Sequence, residues 1–389
     1  MKKAIIFALL LVMTLTSCDY TIPEDFEETS TAPQKQVGFN VPHEIEYSFD
    51  RTVSYNTNIS WLQDSSEGIM FINSDGILCE YIPSSNISST VCKDPVCEHQ
   101  INSECIYGNL AINTLVPIYH NNTLFYTMQE LEPGSDFKWC IFSSEIDSLE
   151  SKRIYKNDGN TIGYLIPHGD HIYFNQLDGD NLAPLYRISK DGSNIIKTDG
   201  EYFISNYIVI GDTVVFNNAL DGKVYSCDLD LKNITELFNP KTQIAMMTDG
   251  VNIYYQLLNK IMMYDMASDT LSEVITVDDS RNIYGKYITE NELYYTLINK
   301  NINFNQSYES RLEGMNEDQV LYKYDLNSGE TTEYKLPESM LCSHEFIINS
   351  GAYYSRLVVP NEKGFCTFDN YCVYLFEGEK QTDDYYIIG

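Results

Sequence analysis

Basic residues are scarce in this chain: 25 Lys and Arg stand against 56 Asp and Glu, leaving a formal net charge of −31 at pH 7. So negative a body repels phosphate backbones and anionic headgroups, which argues against a nucleic-acid partner and against a folded body lying on a membrane surface. Beyond an apolar run from Ala4 to Met13 there is no long hydrophobic stretch, so no membrane-spanning helix is expected. The phosphate-cradling Walker loop, the dinucleotide fingerprint, the G-x-S-x-G elbow and the C-x-x-C-H haem site are all missing. Tryptophan is reduced to Trp61 and Trp139. Tyrosine, by contrast, occurs 31 times, and aromatic residues favour half-buried strands.

The amino terminus has the order of a secretory signal. Lys2 and Lys3 precede the apolar run, and Leu15-Thr16-Ser17-Cys18 follows it. That quartet resembles the lipobox of bacterial lipoproteins. The resemblance implies diacylglycerol on Cys18, cleavage before it, and anchoring at the outer face of the cytoplasmic membrane, since two or three acyl chains hold where one does not. Residues 1–17 are then the signal peptide. Residues 18–35, acidic and without apolar periodicity, read as a disordered tether that cannot bury enough surface to offset its ordering entropy. The membrane is contacted through the lipid alone.

Residues 36–389 read as one all-β domain built on a repeat. A turn of Asp, Asn or Gly leads into an aromatic pair, a second turn follows, and a further strand ends near a Tyr and an Asp. Seven such units occur, with the second aromatic position at Phe71, Tyr126, Phe174, Phe216, Tyr255, Tyr295 and Tyr354. The middle intervals approach the roughly 40–45 residues of a four-stranded propeller blade. A β-propeller of seven four-stranded blades is expected, with six or eight as alternatives. In this reading Pro360–Phe368 and Asn299–Asn316 are insertions, and Glu44–Trp61 supplies a strand that closes the ring against the last unit. With two tryptophans, the chain lacks the per-blade tryptophan of enzymes that use pyrroloquinoline quinone.

One cluster departs from the repeat: Cys92, Cys97, His99 and Cys105, with Pro95 in the turn. Three thiols and an imidazole suit a closed, fourfold structural zinc site. A disulfide, Cys92–Cys97 or Cys97–Cys105, is the competing reading for an extracytoplasmic protein. The string Cys92-x-Asp94-Pro95-x-Cys97-x-His99, then Cys105, resembles a motif in a group of uncharacterised propeller lipoproteins of gut Firmicutes. The later units are also similar to the PQQ-like, TolB-like and DUF5050 propellers. The resemblance implies a cell-surface propeller and brings no activity with it.

Of the other cysteines, Cys79, Cys140 and Cys227 lie in strand-like runs and read as buried thiols. Cys366 and Cys372 flank Phe368–Asn370 and could be joined across a hairpin, with Cys342 as a competitor. His120, His168, His171 and His344 fall in turn or strand-end contexts, and Asp178–Asn181 is a turn short of a full calcium loop. No catalytic residue can be named. The first expectation for function is a surface-anchored binding module for a protein or carbohydrate ligand. The second is an extracytoplasmic hydrolase or lyase acting on polysaccharide or peptide, using acids at a central channel.

Overall fold

The computed structural model describes residues 63–64, 69–72, 77–82, 87–94, 96–97, 118–131, 137–146, 150–157, 161–177, 182–288, 291–299 and 320–335, and the strands within 358–387. Among them the chain is all-β. The first sheet comprises β1 (Gln63–Asp64), β2 (Ile69–Ile72), β3 (Leu78–Ile82) and β4 (Ile87–Thr90). The second has β5 (Ile118–His120), β6 (Thr123–Leu131), β7 (Phe137–Glu145) and β8 (Ser151–Lys156). The third has β9 (Ile162–His168), β10 (His171–Gln176), β11 (Leu185–Ser189) and β12 (Ile196–Lys197). The fourth runs through β13 (Ile204–Ile210), β14 (Thr213–Asn218), β15 (Lys223–Asp228) and β16 (Thr235–Phe238). The fifth holds β17 (Met246–Thr248), β18 (Ile253–Leu257), β19 (Lys260–Asp265) and β20 (Thr270–Thr276). The sixth holds β21 (Arg281–Ile288), β22 (Glu292–Asn299), β23 (Val320–Asp325) and β24 (Thr331–Lys335). The seventh is β25 (Val358–Asn361), β26 (Gly364–Phe368), β27 (Cys372–Glu377) and β28 (Lys380–Ile387).

Each sheet is four-stranded and antiparallel, and its strands pair in chain order. The first strands of successive sheets adjoin: β1 meets β5, β5 meets β9, β9 meets β13, β13 meets β17, and β17 meets β21. Sheets joined at their inner edges, each wound from one stretch of chain, form a β-propeller.

One detail of the sequence reading is corrected. The second strand of the seventh sheet is β26, so the supposed insertion Pro360–Phe368 contains strand instead, and Tyr354 lies outside the described residues. Among the described residues the last sheet has four strands, β28 being the fourth. Residues 44–61 themselves lie outside the described residues.

The aromatic pair has a packing cause. Adjacent strand residues point to opposite faces, and an interior sheet is covered on both. On β6, Leu124 and Tyr126 pack towards the first sheet while Phe125 packs towards the third. On β14, Val214 and Phe216 face the third sheet and Val215 the fifth. On β18, Ile253 and Tyr255 face the fourth sheet and Tyr254 the sixth. Each such burial is worth about 1.5–3 kcal/mol.

A second regularity follows the pair. Asn175, Asn217 and Gln256 each come one residue after the second aromatic and reach the backbone beside the next inner strand. Asn175 Nδ2 donates to Ile204 O at 2.9 Å, Asn217 Oδ1 accepts from Ile244 N at 3.2 Å, and Gln256 Nε2 donates to Ile283 O at 3.0 Å. A glycine makes room for the first of these: a Cβ on Gly163 would sit 1.8 Å from Asn175 Oδ1. The strand ending in Tyr and Asp, as at Tyr264-Asp265 and Tyr324-Asp325, is a turn cap. Asp265 Oδ1 accepts from Ala267 N and Ser268 N, and Asp325 Oδ1 accepts from Asn327 N and Ser328 N, at 2.7–3.1 Å.

Candidate functional site

The two ends of the ring are built differently. At one end, strands are joined within a sheet by short turns such as 121–122, 169–170, 211–212 and 266–269. The opposite end carries the joins between second and third strands and between sheets, among them 91–117, 300–319 and 336–357. The exposed side chains of Leu220 and Leu258 lie in short turns at this second end, and that of Ile195 lies at the first.

The short-turn end is laced from sheet to sheet. Lys190 Nζ donates to His120 Nδ1 at 3.0 Å, tying the third sheet to the second, and lies 5.8 Å over the Phe125 ring. His168 Nε2 donates to Gly211 O at 2.9 Å, tying the third to the fourth. The histidines thus stand at strand ends, as the sequence suggests, but their polar contacts go to neighbouring sheets.

Along the inner strands, Tyr164 and Tyr207 stack at 4.5 Å with an 8° interplanar angle. Tyr207 N donates to Tyr164 Oη at 2.8 Å, and the Tyr207 hydroxyl donates to Tyr164 O. Burial pushes both phenols well above the ordinary tyrosine value. The inner strands β5, β9, β13, β17 and β21 contain no Asp or Glu. The acid pair expected at a central channel therefore does not come from these five strands.

Several carboxylates accept hydrogen bonds from phenols. Tyr225 Oη donates to Asp221 at 2.6 Å and Tyr254 Oη to Asp249 at 2.9 Å; Tyr264 donates to Asp269. In a chain short of Lys and Arg, tyrosine hydroxyls supply donors that cations would otherwise provide.

Of the predicted zinc ligands, Cys92 and Cys97 are described, whereas His99 and Cys105 lie outside the described residues. Cys92 is buried with Leu78, Val91, Leu124, Tyr126, Cys140 and Phe142, and half-buried Cys97 packs against the same cluster. The turn between them is fixed by Asp94, whose Oδ1 accepts from Val96 N at 3.0 Å and whose carbonyl accepts from Cys97 N at 3.2 Å. Both thiols are free, so neither Cys92–Cys97 nor Cys97–Cys105 is bridged.

Three further thiols among the described residues are buried. Cys79, Cys140 and Cys227 are free. Burial, then the Glu130 carboxylate, pushes the Cys140 thiol up to about 11, and burial pushes Cys227 up to about 12. Glu130 is itself engaged by Arg153 at 2.5 Å. The hairpin register does not set Cys366 against Cys372. Cys366 pairs with Leu375, which puts Cys372 three positions nearer the turn. That offset is about 10 Å along a strand, beyond the roughly 7 Å Cα separation a disulfide spans. Cys18, Asp178–Asn181, Cys342 and His344 lie outside the described residues.

The cross-sheet amides were missed in the sequence, although a signal exists there: a side-chain amide at a fixed offset after the aromatic pair.

No family model matches the chain, and no curated protein matches it. Among solved structures it is similar to an oligogalacturonate lyase in complex with manganese, at 13% identity and a TM-score of 0.45, covering 73% of this chain and 78% of that one. It is similar to the β-propeller domain of the Trilobed protease from Pyrococcus furiosus, described as having an open velcro topology, at 12% identity and 0.45, covering 71% and 84%. A computationally designed protein, Ika8, matches at 9% identity and 0.47, covering 83% and 96%. The fold rests on the sheets themselves, and these likenesses carry no activity to this chain.

Proposed function

We propose that the protein is a lipid-anchored, extracytoplasmic binding module whose ligand face is the end of the ring where one sheet leads into the next. The observation that supports this reading is the contrast between the two ends. One end carries only close turns such as 121–122, 169–170 and 211–212, whereas the opposite end is where the long joins 91–117, 300–319 and 336–357 leave and re-enter the sheets. Variable connections on a rigid support are the usual place for recognition. The ligand is a protein or a carbohydrate, and the net charge of −31 favours one that is neutral or basic. The anchor rests on Leu15–Cys18. Cys18→Ala is expected to lose fatty-acid labelling and leave the membrane fraction; retention of both overturns the anchor.

The ligand face is tested with a photo-crosslinker placed at Leu220 or Leu258, and at Ile195 as the control on the other end, in the chain displayed on its own cells. Saturable adducts from 220 or 258, competed by excess unlabelled protein and absent at 195, are expected. Adducts from 195 alone, or from none of the three, overturn the reading.

We also propose a structural zinc held by Cys92, Cys97, His99 and Cys105. Two unbridged thiols on one apolar cluster, with a turn fixed by Asp94, favour it. Zinc would supply a closed clamp on the connection that follows the first sheet. One equivalent of metal is expected in protein purified without chelators under reducing conditions, and His99→Ala is expected to release it. Metal-free protein, or metal retained by His99→Ala, counts against the site.

A further inference from the structure

A compact set of ionisable groups lies at the seam between the third and fourth sheets, near the short-turn end. On β10, His171 and Tyr173 are two residues apart and so share a face. Tyr173 stands opposite Arg187 on β11, and His171 stands opposite His168 on β9. That face looks towards the fourth sheet. Tyr173 Oη donates to Leu229 O at 3.0 Å, Arg187 Nη1 donates to the same carbonyl at 3.1 Å, and His168 reaches Gly211 O.

Arg187 also forms an ion pair with Asp230 at 2.5 Å. Its side chain is only 12% exposed, whereas that of Asp230 is 61% exposed. Leu229 and Asp230 belong to the turn after β15, held by Leu231 N on Asp228 O and Asp228 N on Lys232 O. One turn of the fourth sheet is therefore gripped by two side chains of the third. His171 sits diagonally from Arg187 on the same face, within reach of its charge.

We propose that this seam is an acid-sensitive joint: a proton taken up from solvent by His171 sets a second cation beside Arg187 and weakens the grip of Arg187 and Tyr173 on the Leu229–Asp230 turn. Either outcome of protonation acts in the same direction. The imidazolium repels Arg187, or it draws Asp230 to itself and deprives Arg187 of its partner.

The groups facing His171 are His168, Asp170 and Arg187 from its own sheet and Asp230 from the next. Burial, then the Arg187 guanidinium, holds His171 below its ordinary value of about 6.5, against the opposing pull of Asp170 and Asp230. The sign follows. Because the folded state binds this proton less readily than the unfolded chain, the seam is whole above about pH 6.5 and loses stability as the pH falls towards the folded value.

The test is a proton NMR titration of the histidine rings in the full-length chain, with the His171 signal assigned by its loss in His171→Gln. The His171 midpoint is expected below about 6.5. Arg187→Gln should raise it and Asp230→Asn should lower it. A mere packing role for Arg187 would give no such opposed shifts. Hydrogen exchange of the 228–232 turn, corrected for intrinsic rates, should quicken several-fold between pH 7.5 and pH 5.5 in the native chain and stay flat in His171→Gln. A midpoint at or above the ordinary histidine value overturns the proposal, as does an equal acid-induced opening in His171→Gln. The native titration midpoint decides the matter even if a variant fails to fold.

Discussion

The seam between the third and fourth sheets and the seam between the fourth and fifth use the same backbone positions for different chemistry. Where the first has His168 paired with His171, the second has Ile210 paired with Thr213. Where the first has Tyr173 opposite Arg187, the second has Val215 opposite Ser226. Around these lie Ile208, Met246, Ile253 and Tyr255, an apolar filling. Only the amide is kept: Asn175 in one, Asn217 in the other. The repeat dictates which positions face a seam and leaves their chemistry free, so one seam carries charge and its neighbour does not.

The strongest way to break this comparison is to hollow out each seam from one strand. Phe216 and Val215 are adjacent, fully buried, and face opposite seams. Phe216→Ala is expected to cost about 3–5 kcal/mol and Val215→Ala about 1.5–3 kcal/mol, read from urea denaturation. If hydrogen exchange shows either variant loosening both seams alike, the seams are not separate units.

Next come the shared amides. Asn217→Ala strips an acceptor from Ile244 N and a donor from Lys223 O, with an expected loss of about 1–3 kcal/mol. Gly163→Ala is expected to cost a similar amount, about 1–3 kcal/mol, because the added methyl drives Asn175 off Ile204 O. A neutral Gly163→Ala in thermal unfolding would show that Asn175 does not hold this seam.

The smallest effect separates titration in the seam from titration at the turns. Hydrogen bonds from Ser328 N and Asn327 N hold the Asp325 carboxyl below the usual carboxylate range. The folded state therefore resists this proton, and the contribution is present at neutral pH and lost as the pH falls below about 4. Asp325→Ala should be slightly less stable than the native chain at pH 7 and converge with it in acid. A difference that persists at pH 2.5 would mean that charge is not what Asp325 contributes. The His171 joint acts in a higher window, so the two are resolved in one pH series.

The repeat was legible in the sequence because a sheet covered on both faces needs two apolar residues in succession, as at Phe125-Tyr126 and Tyr254-Tyr255. The Tyr-Asp strand ending was legible because Asp265 and Asp325 cap turns with local bonds. The seventh unit misled for the same reason. Tyr353-Tyr354 looks like the aromatic pair, whereas β26 spaces its aromatics as Phe365 and Phe368 and gives no such signal. The seam between the third and fourth sheets was hidden, because Arg187 becomes a neighbour of His171 only through the register of β10 with β11, and of Asp230 only through the packing of two sheets. The cysteine motif was visible as a cluster, but spacing could not show that Cys92 lies within an apolar core.

Among the described residues every sheet closes its four-stranded ladder within one stretch of chain. The strand ladders are thus local in the chain, and side-chain and isolated backbone bonds such as Asn175 Nδ2 to Ile204 O and Ala183 N to Tyr202 O join one sheet to the next. A recombination break between sheets, for example at 199–201, leaves every four-stranded ladder intact and separates only the short bridge of Ala183 with Phe203, whereas a break inside a sheet orphans a row of amides. Gain or loss of a whole unit alters the circumference of the ring without unpicking any other sheet. The same joints are the natural points for opening the chain and rejoining its ends in a different order.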